Sequence, residues 1–126
     1  MSEPKDVTAR KLAHDVGKYV SRAARNLPKS GAIPDVLVDM LFRDVLGTAP
    51  NGTKPSERFE ILARELDVDD PRIADVRERF ARIAALEREL SRGTELVVRS
   101  IAADALAIEQ TLTSLARDLS RDGGHG

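Results

Sequence analysis

The chain has 126 residues and a net charge of −1 at neutral pH, it contains no cysteine, and 41% of its residues are hydrophobic. These values exclude disulfides and thiolate zinc sites, and they fit one folded domain rather than a disordered chain. Because only 3% of the residues are aromatic, while Leu, Ala, Arg and Glu predominate, the composition favours an all-α fold. The polar N-terminus and the absence of a long apolar run predict a soluble, cytoplasmic protein without a membrane span.

A periodicity of 3.6 residues, interrupted by prolines and glycines, predicts five helices. They cover residues 6–27, 34–46, 55–66, 71–90 and 94–120. We expect these helices to form a single domain over residues 1–120, followed by a flexible tail over residues 121–126. The predicted fold is a compact helical bundle with one long C-terminal helix.

The last predicted helix carries an apolar seam in which the spacing alternates between three and four residues. It consists of Val98, Ile101, Ala105, Ile108, Leu112, Leu115 and Leu119. Such a seam packs either inside an antiparallel bundle or against a second copy of the chain. Because the helices differ in length and their connectors are short, we expect an internal seam and a monomer.

The second predicted helix is apolar around most of its circumference. A helix of this kind is either central to the core or covered by a partner. In the second case, exposed apolar residues such as Val38 and Phe42 would anchor that partner.

Charge is distributed unevenly along the chain. Residues 1–30 contain seven Lys/Arg against three Asp/Glu, and the remainder contains thirteen against eighteen. The first helix presents a basic face made of Arg10, Lys11, Lys18, Arg22 and Arg25. Such a face would steer an acidic protein partner towards the helix. The acidic remainder and the scarcity of stacking aromatics disfavour the alternative that this face binds nucleic acid.

Projection onto an α-helix places His14 on the solvent side of the first helix, and five further residues share that side. They are Arg10, Gly17, Lys18, Ser21 and Arg25. An exposed His followed by a small residue at i+3 and a lysine at i+4 resembles the phospho-acceptor of histidine-phosphotransfer domains. The family has Lys before Gly, whereas Gly17 precedes Lys18 here, and its His normally lies in a later helix. The resemblance implies that His14 accepts a phosphoryl group that Lys18 stabilises; the alternative is a solvated docking face.

The size, the composition and the basic face between Arg10 and Arg25 also resemble the RomX-like polarity adaptors of myxobacteria. That resemblance implies a non-enzymatic signalling adaptor that binds a receiver domain and a small Ras-like GTPase, as part of a guanine nucleotide exchange complex in cell polarity. We expect no cofactor, no metal site, and no binding to nucleic acid or membrane. Phosphotransfer through His14 is the alternative function.

Overall fold

The computed structural model describes residues 4–47, 52–89 and 95–124, with side chains for residues 4–47, 52–88 and 95–120. These residues form five helices and no strand. Helix α1 covers residues 5–25, α2 Asp35–Leu46, α3 Pro55–Leu66, α4 Pro71–Glu89 and α5 Glu95–Gly124. The predicted all-α bundle with one long C-terminal helix is confirmed. Helix α5 continues four residues into the predicted tail, whose last two residues lie outside the described part.

Prolines and local hydrogen bonds set the beginnings of the helices. Pro34 directly precedes α2, Pro55 and Pro71 are the first residues of α3 and α4, and a proline at such a position gives up no helical hydrogen bond. At the start of α3, the backbone N–H of Lys54 donates to the Glu57 carboxylate over 3.1 Å. These signals are local, so the helix boundaries were predictable from the sequence.

Helix α5 is the central element of the bundle. It packs along both α1 and α4. Helix α2 packs on the second half of α1, and α3 packs on the first half of α1. The predicted seam of α5 faces inwards: all of its residues are buried except Leu119, which is half-buried. The prediction of an internal seam is confirmed. None of the described helices is both long enough and apolar enough to cross a bilayer.

Two long side chains hold helix ends and connectors in place. The Lys5 ammonium donates to the backbone carbonyls of Leu66 and Asp67, at 2.8 and 3.1 Å, where α3 ends. A cation at a helix C-terminus satisfies carbonyls that have no partner within the helix. The Arg99 guanidinium donates to the carbonyls of Pro28 and Gly31, each at 3.0 Å, and so fixes the connector between α1 and α2 on α5.

Candidate docking surface on α1

The outer side of α1 carries a row of cationic side chains and one histidine. His14 is 78% exposed, and Arg10, Lys18, Arg22 and Arg25 are exposed as well. Lys11 is half-buried at the edge of the row. We call these six residues the α1 row. Five of the six are exposed, but Lys11, which the sequence placed on the same basic face, is only partly exposed.

The middle of α1 is not an α-helix. Between α-helical segments at Lys5–Lys11 and Tyr19–Arg25, residues Leu12–Lys18 form a π-helix. In a π-helix, hydrogen bonds join residues five apart and each turn is wider. The π-segment contains His14 and Lys18, so the irregular backbone lies within the α1 row.

The sequence-based placement of Gly17 and Ser21 on the solvent side is wrong. Both residues are buried, and Ser21 has no exposed surface. A Cβ added at Gly17 would lie 3.2 Å from the Cα of Glu109 in α5, and the Ser21 hydroxyl donates to the Glu109 carboxylate. The projection failed because it assumed α-helical geometry throughout and a single packed side. In fact α5 also covers α1 at Gly17 and Ser21.

His14 is held by a chain of polar contacts that leads to α3. Its Nδ1 lies 2.9 Å from Oδ1 of Asp15, and the Arg58 guanidinium donates to the other Asp15 oxygen over 3.2 Å. Burial alone would raise the pKa of Asp15, but the hydrogen bonds and positive charges of His14 and Arg58 bring it below its usual value. Since an ionised carboxylate only accepts hydrogen bonds, Nδ1 is the donor. In neutral His14 the lone pair is therefore on Nε2.

Several cations of the α1 row are paired within the chain. Arg10 meets Asp6 at 3.4 Å within α1. The guanidinium of Arg22 stacks 4.5 Å from the centre of the Tyr19 ring and donates to the buried Asp44 of α2 over 3.0 Å. Arg25 lies 3.6 Å from Glu109. Lys18, in contrast, has no ion-pair partner among the described residues.

These pairs reduce the charge surplus that the sequence showed. The count over residues 1–30 leaves out Asp44 and Glu109. These two acidic residues belong to later helices but lie beside the α1 row. Lys18 therefore carries more of the available positive charge of the α1 row than the paired arginines do. No signal in the sequence identified these long-range partners.

The predicted apolar anchors on α2 are not exposed. Phe42 is 3% exposed and belongs to the core, and Val38 is partly buried against it. The correction follows from packing: α2 turns Phe42 inwards against the bundle. Its outer side shows Val36 and Met40 instead, with 63% and 38% of their surfaces exposed. The sequence missed these two because an almost entirely apolar helix gives no sign of which side faces solvent.

No described cluster of three or more His, Cys, Asp or Glu residues is arranged to hold a metal ion. Comparison of the chain with protein-family models, curated proteins and solved structures found no match.

Proposed function

We propose that this protein is a non-enzymatic adaptor of bacterial signalling, which docks a protein partner through the α1 row. The π-segment at Leu12–Lys18 is the observation that carries this proposal. A π-helix is rare, and where it occurs it is often found at a functional site. Here the irregular turns present His14 and Lys18 outwards.

The partner should present an acidic surface. Arg10 and Lys18 offer positive charge without a buried intramolecular partner, and complementary charge speeds association and fixes register. The conserved chemistry of receiver domains includes an acidic pocket, and small Ras-like GTPases are the second class that the resemblance to polarity adaptors implies. We propose that the complex forms in the cytoplasm and takes part in guanine nucleotide exchange.

The test reverses the charge of exposed side chains in the α1 row that make no buried ion pair. Arg10→Glu with Lys18→Glu should weaken binding to purified receiver domains and Ras-like GTPases by at least tenfold, because like charges at an interface are repulsive. Arg64→Glu with Arg117→Glu is the matched control, since both side chains are exposed and the change in net charge is the same. If both double variants bind equally well, the α1 row is not the docking surface.

Phosphotransfer through His14 is the second candidate, favoured by the contact between His14 Nδ1 and Asp15. With Nδ1 donating to the carboxylate, the solvent-facing Nε2 would attack phosphorus; the P–O bond to the donor aspartate would break as a P–N bond forms. A phosphorylated receiver domain would be the donor. Transfer of labelled phosphate to the wild type and not to His14→Gln would support this function, whereas unlabelled wild type would exclude it.

A further inference from the structure

A groove runs between the end of α1 and the first half of α5. Its volume is about 420 Å³. Its apolar lining comes from both helices and from the connector after α1, and consists of Ala24, Leu27, Pro28, Ala102, Ala103 and Leu106. Alanines form much of the floor, so a third helix could approach both helices closely.

Every charged residue that lines this groove is basic. They are Arg25, Lys29 and Arg99. The groove between α3 and α4 differs, because Glu57 and Glu60 balance Arg64 and Arg77 there. Arg25 lies 3.6 Å from Glu109, and Arg99 is engaged by Glu95 and by the carbonyls of Pro28 and Gly31. Lys29 is exposed and has no ion-pair partner among the described residues. An apolar floor with this lysine at its edge fits a ligand that is apolar on one side and acidic at its edge.

We infer that this groove is a docking site for an acidic amphipathic helix of a protein partner. The inference goes beyond the proposed function, since Arg25 alone is shared with the α1 row. It would give an adaptor its second binding surface.

A helix suits the groove better than an extended segment does. The floor consists of apolar side chains and offers few hydrogen-bonding groups to the backbone of an incoming chain. An extended segment would bury unpaired N–H and C=O groups against it, whereas a helix pairs its own. Leucine or alanine at i, i+3 and i+4 would fill the groove, and a flanking glutamate would reach Lys29.

The probe is a fluorescein-labelled amphipathic peptide with leucine and alanine on one face and glutamate on both flanks. Fluorescence anisotropy should show saturable binding to the full chain that weakens as salt rises, because exposed charge pairs are screened. The same peptide with lysine for glutamate should bind at least tenfold more weakly. Amide chemical shifts in the wild type should change around Arg25, Lys29 and Ala103.

Two variants test the groove directly. Ala103→Glu places a charged side chain on its floor, and Lys29→Glu reverses its rim; each should weaken peptide binding at least tenfold. Both residues are exposed, so the variants should fold. Ala81→Glu, an exposed alanine in the α3–α4 groove, is the matched control and should bind the peptide like the wild type.

Four results would overturn the inference. They are absence of saturable binding, equal binding of the lysine peptide, shift changes confined to the α3–α4 groove, and unchanged binding by both groove variants. Other occupants are tested separately. A dimer that Ala103→Glu dissociates would assign the groove to a second copy, and Lys29-dependent sedimentation with anionic vesicles, without peptide binding, would assign it to a membrane surface.

Discussion

Gly17 of α1 packs tightly against the backbone of Glu109 in α5. The space in which a Cβ of residue 17 would stand is 3.2 Å from the Glu109 Cα, a backbone atom that a side-chain rotation cannot move. The small i+3 neighbour of His14 thus serves contact within the bundle.

A larger residue at position 17 should therefore destabilise the fold. We expect Gly17→Val to lower the free energy of unfolding by about 1–3 kcal/mol, because overpacking forces α1 and α5 apart. Urea denaturation measures this value. The control, Ala74→Val on an exposed position of α4, should lose about 0.5 kcal/mol through helix propensity alone. Equal losses in the two variants would show that the helices tolerate the added volume.

The seam of α5 should contribute strongly to stability at its midpoint. Ile108 is fully buried, so Ile108→Ala should cost about 2–5 kcal/mol of unfolding free energy through lost burial and a residual cavity. Leu96→Ala in the same helix is the control; Leu96 is 73% exposed, and the loss there should stay below about 0.5 kcal/mol. A loss at Ile108 as small as that at Leu96 would contradict an internal seam.

The sequence predicted the helices and their ends well because the signals are local. Pro34, Pro55 and Pro71 stand at helix beginnings, and the spacing of the α5 seam indicates its buried side. The sequence indicated less clearly which residues of α1 are buried. Gly17 and Ser21 are small residues four positions apart. This spacing is typical of close helix packing, but a projection based on hydrophobicity alone does not indicate it.

The candidate site was predicted only in part for a physical reason. Exposure of the cations in α1 follows from periodicity, but their partners Asp44 and Glu109 are distant in sequence. No local pattern fixes such pairs. A periodicity of 3.6 residues likewise cannot indicate the π-segment, whose hydrogen bonds join residues five apart.

A buried carboxylate joins α4 to α5. Asp104 is 4% exposed and accepts hydrogen bonds from Arg79 at 2.9 Å and Arg82 at 3.4 Å. Asp104→Ala should lower the free energy of unfolding by about 1–3 kcal/mol, because two guanidinium groups lose their hydrogen-bond acceptor in a partly buried position. Asp75→Ala removes the other partner of Arg79 within α4 and should cost about 0.2–0.5 kcal/mol. Thermal or urea unfolding of both variants should show this order, and the reverse order would refute it.

The Asp70–Arg72 pair should make stability depend on pH. Hydrogen bonds from the Arg72 side chain and backbone, with its charge, lower the pKa of Asp70 despite partial burial. A folded-state pKa below the unfolded value of about 3.9 stabilises the protein above that value, and the effect disappears as pH falls through the folded pKa. Wild type should thus exceed Asp70→Asn in stability at neutral pH, and the difference should shrink below about pH 4.

Urea denaturation across acidic pH measures this difference. The Asn side chain can still accept the hydrogen bond from the Arg72 backbone, so the helix cap is kept while the charge is lost. Arg72→Gln should remove the same pH-dependent stability. A difference between wild type and Asp70→Asn that stays constant down to the acid limit would contradict the charge-based account.

Docking through the α1 row is the central claim, and site-specific photocrosslinking in cells tests it most directly. A benzophenone amino acid at position 14 stands where the side chain is 78% exposed, and one at Arg64 on α3 serves as the control. We predict that position 14 crosslinks to a receiver domain or a Ras-like GTPase, that position 64 does not, and that Arg10→Glu with Lys18→Glu abolishes the product. Equal crosslinking from both positions, or a position-14 product that survives the charge reversal, would contradict the claim.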